Sequence, residues 1–301
     1  MMVPRPINNS RFAQVAWSLL CFCGCDHAPP PKPATETSVL KAPALQDPAG
    51  DAIRNVQQAL AAKNPGLKSD AVLLQPRDGR VVIAELQGAG ISDLSPLAGL
   101  PLEVLGLADN PVEDLNPLRG MPLKELVLER THVSDLQPLA GMPLVNLWLN
   151  QSPVADLGPL AGAPLVQLSL LGTKVRDLTP LKGMPLESVW LNETLVNDLS
   201  PLAESPMISL TLHKTPVSDI AIVRQWPTLQ RLHLGECEVS DLSPLEGLRL
   251  TRLILTPAKI SSGMEVVRNM ATLTELDVEF REPRPWSAAE FWRRYDAGEL
   301  K

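Results

Sequence analysis

Histidine and cysteine are the residues of this chain that could carry acid–base, nucleophilic or metal chemistry. The four histidines are His27, His132, His213 and His233. A catalytic nucleophile needs a base beside it, and no set of serine, cysteine and histidine has a spacing typical of such a pair. Gly88-Ala89-Gly90 follows a strand-like segment, but Asp93 stands where a dinucleotide loop has its third glycine. The sequence therefore predicts a protein that is not an enzyme and holds no cofactor.

Three cysteines and a histidine lie close together near the amino terminus, at Cys21, Cys23, Cys25 and His27. Cysteine pairs of zinc sites are usually spaced more widely, which disfavours a metal site. Arg5 and Arg11 precede an apolar run over residues 12–23, which is shorter than the roughly 20 apolar residues needed to span a bilayer. This order of features is typical of a secretory signal peptide, here residues 1–25.

The end of this segment resembles the cleavage motif of bacterial lipoproteins, since Gly24 directly precedes Cys25. Phe22 departs from the leucine usual in that motif. The resemblance implies that Cys25 is lipidated and anchors the protein in the bacterial cell envelope, with no other membrane contact. Two alternatives stay open: a secretory signal without lipid, giving a secreted or periplasmic protein, and an uncleaved apolar leader. Residues 26–48 are rich in proline and predict a semi-extended linker.

The charge of the chain bears on its partners. The formal net charge is −7 at pH 7, whereas binding of nucleic acid phosphates needs clustered Lys and Arg. Nucleic acid is therefore not expected as a partner.

Aspartate recurs through most of the chain at a nearly constant interval. Seven aspartates stand 21 residues apart and an eighth follows after 22, at Asp93, Asp114, Asp135, Asp156, Asp177, Asp198, Asp219 and Asp241. The text around them reads L-x-x-L-x-L-x-x-T-x-V-x-D-L-x-P-L-x-G-M-P, and the unit that starts at Leu123 contains every element. Eight aspartates in register cannot be eight catalytic groups, so their role is predicted to be structural.

Each position of the unit has a physical role. Leu126 and Leu128 are two residues apart, so on a strand both point into the core. Thr131 is expected to turn the chain and to bond the backbone of the next coil. Asp135 can accept a hydrogen bond from the backbone N–H two residues on. Pro138 presets φ for a single 3-10 turn on the outer side.

This pattern resembles the leucine-rich-repeat family, in particular the short bacterial repeats of internalin type, over about residues 81–278. The resemblance implies an α/β solenoid in which parallel strands line the concave face and short 3-10 turns line the convex face. Ten coils are expected in a solenoid over residues 81–280. At about 4.8 Å per strand the array would be nearly 50 Å long.

Repeats of this kind need protected ends, and both ends of the array carry segments that predict caps. Residues 49–80 predict an amphipathic helix that stops at Asn64-Pro65-Gly66, then a strand at 71–74 that starts a hairpin. Residues 281–301 predict a helix, and Ser287 and Glu290 predict a capping box at its start. These segments are similar to bacterial repeat proteins that can carry a serine/threonine kinase domain. Kinase motifs are absent here, so that resemblance implies only an association with signalling.

The strand residues between the inward leucines are expected to face the concave surface. Trp148 and Trp190 fall two coils apart, hence about 10 Å apart in one row, and tryptophan is enriched at binding hot spots. The alternative is that each indole only shields neighbours such as Val127 and Leu171. The predicted partner-binding residues are Asn146, Trp148, Asn150, Gln167, Trp190, Asn192, His213, Arg231 and Arg252.

The sequence thus predicts a non-enzymatic, membrane-tethered leucine-rich-repeat module that binds a protein or peptide on its concave face. Acidic residues lie toward the first coils, at Glu125 and Glu129, and basic residues lie near the end, at Arg231 and Arg252. The alternative function is a carbohydrate or cell-wall binding protein of the envelope, because tryptophan with amide neighbours also suits sugar rings.

Overall fold

The computed structural model describes residues 47–281 and 285–300. The predicted signal peptide, the lipidation site at Cys25 and nearly all of the predicted linker lie outside these residues, and their bounds stay predictions. Within the part of the chain that is described, no helix has the length and apolar character needed to cross a membrane.

The described chain forms one sheet whose strands follow the order of the sequence. β1 (Leu73–Arg77) and β2 (Arg80–Glu85) make an antiparallel hairpin, and each later strand runs parallel to its predecessor. The later strands are β3 (Val104–Gly106), β4 (Glu125–Val127), β5 (Asn146–Trp148), β6 (Gln167–Ser169), β7 (Ser188–Trp190), β8 (Ser209–Thr211), β9 (Arg231–His233), β10 (Arg252–Ile254) and β11 (Glu275–Asp277). The predicted leucine-rich-repeat solenoid is confirmed, with one strand for each expected coil.

The apolar residues of the repeat fill the interior of every coil. Leu126 and Leu128 are both completely buried, as are Val133 and their counterparts in the neighbouring coils. Leu136, after the aspartate, is 1% exposed. The predicted strand register is therefore confirmed, since a shift of one residue would have turned these leucines to solvent.

An aspartate followed by a proline sets the turn toward the convex side. The backbone N–H of Gln137 donates to Asp135 Oδ1 at 2.8 Å, and a 3-10 turn then spans Gln137–Leu139 with Pro138 in it. The same bond to the N–H two residues on recurs at the other seven aspartates: Asp93, Asp114, Asp156, Asp177, Asp198, Asp219 and Asp241. The predicted structural role of the aspartates is confirmed.

The threonine hydroxyls of the repeat bond the backbone of their own coil and not that of the next coil, so that expectation is wrong. Thr131 Oγ1 donates to the carbonyl of Leu128, three residues back in the same coil, at 2.8 Å. Asn110 occupies the same position with a longer side chain and reaches the preceding coil. The N–H of Ile91 donates to its Oδ1 at 2.9 Å, and its Nδ2 donates to the carbonyl of Leu86 at 2.7 Å. A hydroxyl is too short to make that reach.

Helix α1 (Pro48–Lys63) covers the amino-terminal end of the solenoid and is followed by Asn64, as predicted. The Asn64 side chain is buried and holds the helix to the first coil. Its Oδ1 accepts from the N–H groups of Ser92 and Asp93 at 2.8 and 2.9 Å. Its Nδ2 donates to the carbonyls of Leu60 and Asp93, both at 3.1 Å.

The first strand of the hairpin begins later than the predicted strand at 71–74. Ser69–Ala71 forms a 3-10 turn, and β1 starts at Leu73. The N–H groups of Ala71 and Val72 donate to the carbonyls of Lys68 and Ser69. Because these donors are used within the turn, they cannot join the sheet.

The carboxyl-terminal end contains the short helix α2 (Met264–Arg268), which precedes β11, and the helix α3 (Ala288–Asp296). The N–H of Glu290 donates to Ser287 Oγ at 3.2 Å. The carboxylate of Glu290 instead bonds Arg293 and Arg294, so only half of the predicted capping box forms. Phe291 of α3 is completely buried against the last coils.

Candidate functional site

Strand pairing arranges the outward residues of the sheet in rows across the concave face. One row, here named the tryptophan row, contains Val127, Trp148, Ser169, Trp190, Thr211 and His233. A second, the arginine row, contains Glu125, Asn146, Gln167, Ser188, Ser209, Arg231, Arg252 and Glu275. Trp148 and Trp190 therefore lie in one row with one strand between them, as the repeat spacing predicts.

The two indoles stand on either side of a small residue. Ser169 between them is 4% exposed, whereas Trp148 and Trp190 are partly buried and keep some surface open to solvent. Two strand spacings separate them, about 10 Å. Val127 beside Trp148 is 5% exposed, as the shielding alternative expects. The two indoles thus flank a buried serine and keep part of their aromatic surface open to solvent.

Two of the amides predicted to bind a partner also join neighbouring coils. Asn150 Nδ2 donates to Glu129 Oε1 at 2.8 Å, and its Oδ1 accepts from the N–H of Leu171 at 3.2 Å. Asn192 Oδ1 likewise accepts from the N–H of His213 at 3.1 Å. These bonds satisfy backbone donors at the ends of the strands, so Asn150 and Asn192 contribute to the fold itself.

The carboxyl of Glu125, at the acidic end of the arginine row, is partly buried. Burial raises the pKa of Glu125, and the negative charge of Glu85 raises it further, while the amide of Asn146 acts in the opposite direction. The acidic end of the concave face is therefore a place where a carboxylate is held in an unfavourable environment.

The two arginines at the other end of the arginine row differ in their surroundings. Arg252 makes an ion pair with Glu275 and lies over the ring of Phe280, 5.6 Å from its centroid. Arg231 is exposed, and within the described residues no carboxylate lies at ion-pair distance from it. Both arginines line an open polar pocket with Thr251, Thr274 and Glu275. Of the predicted basic end, Arg231 is the charge available to a partner.

Two histidines of neighbouring strands meet at this end. The ring centroids of His213 and His233 are 5.1 Å apart with the planes tilted by 30°. His213 Nδ1 lies 3.0 Å from the carbonyl oxygen of Gly235, and its Nε2 lies 3.8 Å from a carboxylate oxygen of Glu236. Burial, followed by the proximity of His213 and Arg252, lowers the pKa of His233 to about 4. His233 is therefore neutral at pH 7.

No protein-family model and no curated protein matches the chain, but solved structures do. The internalin inlF of Listeria monocytogenes is 32% identical with a TM-score of 0.60, over 65% of this chain and 62% of its own. The internalin inlC2 of the same organism is 26% identical with a TM-score of 0.57, over 67% and 92%. The chain is a leucine-rich-repeat solenoid, a fold that it shares with these bacterial internalins. A leucine-rich-repeat protein of Leptospira interrogans, 20% identical with a TM-score of 0.52 over 65% and 54%, shares the fold.

The leucine-rich-repeat coils also contain a buried thiol, that of Cys237. This side chain is 1% exposed and donates to the carbonyl of Leu212 at 2.8 Å. Burial raises the pKa of the Cys237 thiol, and a thiol that does not ionise is a poor nucleophile. In the part of the chain that the structure describes, no group of three or more His, Cys, Asp or Glu is arranged to hold a metal ion.

Sequence reasoning left Thr211 and His233 out of the candidate site. Both residues belong to the tryptophan row, beyond Trp190. The spacing of the coils already indicated that they face the concave side. What it could not indicate is that their side-chain polar atoms are buried without a partner.

Proposed function

We propose that this leucine-rich-repeat protein is a non-enzymatic binding module that mediates protein–protein interaction through its concave face. The observation that carries the proposal is the pair Trp148 and Trp190, which lie in one row, partly open, with the small Ser169 between them. Large aromatic side chains supply much of the energy of protein interfaces. The open parts of the two indoles can pack against an apolar side chain of the partner.

The charges around the tryptophans favour a polypeptide partner. Glu125 and Glu129 lie on one side of them, and Arg231 lies on the other. A partner of mixed charge meets both ends favourably, and such complementarity sets the register and the rate of association. Similarity to the internalins inlF and inlC2 is consistent with this function.

A glycan is the second candidate. The partly open indoles and the amide of Gln167 beside Ser169 resemble the mixture of stacking and hydrogen-bonding groups that sugar rings require. The two candidate functions differ in the ligand that this aromatic surface would bind, a peptide in the first and a sugar in the second.

The test uses the full chain immobilised on a sensor and probed with a random peptide display library and a glycan array. The Trp148→Ala/Trp190→Ala double variant is compared with a Leu73→Ala/Leu195→Ala variant. Leu73 and Leu195 are 51% and 49% exposed and lie outside the tryptophan and arginine rows. The tryptophan variant should lose peptide binding about 100-fold or more, since each hot-spot residue contributes about 2 kcal/mol. The leucine variant should bind like the wild type, and both should keep a cooperative thermal melt.

The outcomes separate the candidates. Retention of sugars instead of peptides, lost in the tryptophan variant, would make the glycan the ligand. Peptide binding that survives in a folded tryptophan variant would place the binding site away from the concave face.

We further propose that the protein is tethered to the bacterial envelope through a lipid on Cys25. The Gly24-Cys25 motif and the proline-rich residues 26–48 support this, and the resemblance to repeat proteins that carry kinases supports a role in signalling. Cells that express the wild type or Cys25→Ala are labelled with a fatty-acid analogue and fractionated. Label on the wild type alone is the expected result, and an unlabelled wild type would leave plain secretion.

A further inference from the structure

Two buried polar atoms on the concave face have no hydrogen-bond partner. They are Thr211 Oγ1 and His233 Nε2, and among the described residues no other buried side-chain nitrogen or oxygen lacks one. The two residues are direct neighbours, since Thr211 pairs with His233 between β8 and β9. The imidazole of His233 is 7% exposed.

Such atoms are uncommon in folded proteins, because a buried polar group without a partner destabilises the native state. Elsewhere the same fold satisfies its buried hydroxyls. Thr215, four residues after Thr211, donates to the carbonyl of Leu212 at 2.7 Å. Two unsatisfied atoms on paired residues of the face that carries Trp148 and Trp190 are therefore better explained by a ligand than by a packing fault.

The surroundings of the two atoms are positively charged. Arg231 lies on the same strand as His233, two residues before it, and is exposed. Arg252 follows on the next strand, and its charge and that of His213 both act against protonation of His233. Two carboxylates lie nearby. Glu275 forms an ion pair with Arg252, and Glu236 lies 3.8 Å from His213.

The backbone leaves room for the imidazole at this point. A side chain at Gly235 would have its Cβ 2.8 Å from His233 Nε2 and 3.1 Å from His213 Nδ1. Glycine at position 235 therefore allows both rings to fold over the strand end. The two imidazole rings and the hydroxyl of Thr211 thus form a cluster of polar groups, and Thr211 is the direct neighbour of Trp190 across the strands.

We propose that Thr211, His233 and Arg231 form a subsite that binds an acidic side chain of the protein partner, beside the apolar contact made by Trp190. The exposed guanidinium of Arg231 supplies the charge. A change of side-chain rotamer on binding brings the buried hydroxyl of Thr211 and the imidazole N–H of His233 to the carboxylate, to which both donate hydrogen bonds. The proposal rests on the proposed function, because it assigns one residue type of the partner to one place on the same face.

Proton linkage gives the subsite a second signature. A carboxylate bound beside His233 stabilises the protonated imidazole and so raises its pKa from the low value of the free protein. Binding then takes up a proton, and the affinity should increase as the pH falls from 7 toward 5. The charged groups that act on the imidazole are His213 and Arg252, which both oppose its protonation. Arg231 lies two residues before His233 on the same strand, and Glu236 lies 3.8 Å from His213.

The test starts from the random peptide library on the full chain. Peptides retained by the wild type should be enriched in Asp or Glu, and one of them is then made with that residue changed to Asn or Gln. Arg231→Ala and Thr211→Val should each lower the affinity for the acidic peptide. For Arg231→Ala the loss should be about tenfold, as expected for a hydrogen bond to a charged group. The peptide in which the acidic residue is changed to Asn or Gln should bind the wild type and Arg231→Ala with the same low affinity.

Two matched variants control for changes in folding. Arg224→Ala removes an exposed arginine from the convex 3-10 turn, and Thr215→Val removes a hydroxyl that has a partner. Both should keep wild-type affinity. Thr215→Val should lower the melting temperature, whereas Thr211→Val should not, because the hydroxyl it removes has no partner.

The results test the subsite and the proposed binding function separately. Retained peptides without acidic enrichment, or an acidic peptide that binds Arg231→Ala as well as the wild type, would overturn the subsite and leave the binding module standing. A library from which the wild type retains no peptide would overturn both the subsite and the proposed peptide binding.

Discussion

Side chains at equivalent positions of the repeat differ in their hydrogen-bond partners and in their burial. These differences follow from the length and the surroundings of each side chain. Asn110 reaches the preceding coil, whereas Thr131 bonds only its own. Glu125 and Arg231 stand in the same row, but the carboxyl is partly buried and the guanidinium is exposed. The concave face is thus a regular scaffold on which individual substitutions tune local electrostatics.

Glu125 gives a prediction about pH. Its pKa is raised by burial and by Glu85, so at neutral pH the ionised carboxylate destabilises the folded state relative to the unfolded chain. Glu125→Gln should therefore raise the melting temperature at pH 7. The gain should vanish as the pH falls below the ordinary carboxyl pKa of about 4.3, where Glu125 is protonated in both states. A gain that is independent of pH would mean that packing, not charge, is responsible.

Leu126 tests the register of the strands. It is completely buried between neighbouring coils, so Leu126→Ala should cost about 2–5 kcal/mol in urea unfolding. Leu195→Ala is the matched control, because Leu195 is 49% exposed and its loss should stay within about 0.5 kcal/mol. Similar costs for the two leucines would contradict the assignment of the inner face.

At the scale of elements, what could be predicted from the sequence is what depends on local spacing. Asp135 and Pro138 act through bonds within a few residues, and the two-residue spacing of the leucine pair sets which side of the strand is buried. Their repetition therefore predicted the strands and the 3-10 turns. The late start of β1 depends on which donors the 3-10 turn at Ser69–Ala71 takes first. The unpartnered atoms of Thr211 and His233 depend on side-chain packing across two coils, which repeat spacing does not encode.

The junction between α1 and the first coil depends on one side chain. Asn64 makes four hydrogen bonds to backbone atoms of Leu60, Ser92 and Asp93. Asn64→Ala leaves the two partly buried N–H groups of Ser92 and Asp93 without their acceptor. At about 1–3 kcal/mol for each unsatisfied group, it should cost about 2–6 kcal/mol in chemical denaturation. Hydrogen exchange should quicken first in α1 and β2.

The control for this junction is Asp114→Ala. Asp114 accepts from the N–H of Asn116 on the surface of a middle coil, so its loss should cost about 1 kcal/mol and leave exchange in α1 unchanged. An Asn64→Ala variant no less stable than Asp114→Ala would mean that α1 is held to the array by its apolar face alone.

The described residues from 47 onward form a one-dimensional stack in which each coil contacts its neighbours. Strand order follows sequence order from β1 to β11, and the hydrophobic core runs from Val56 of α1 to Phe291 of α3 without a break. Stability in such an array is a sum of coil and interface contributions, and the ends fray before the centre. The end segments α1 and α3 therefore protect the concave face that lies between them.

The carboxyl-terminal end provides the corresponding test. Phe291 is completely buried, and its ring lies 6.1 Å from that of Tyr295 and 5.1 Å from that of Trp292. Phe291→Ala should open a cavity that costs about 3–5 kcal/mol locally. Hydrogen exchange measured by mass spectrometry should then show faster exchange in β10 and β11, with β4 to β7 still protected. Leu147→Ala, at a completely buried position of β5, should instead weaken protection on both sides of the middle coils. Equal loss of protection along the whole array in the Phe291 variant would show that the solenoid unfolds as a single cooperative unit. The end cap would then affect the stability of the concave strands as strongly as the buried leucines of those strands do.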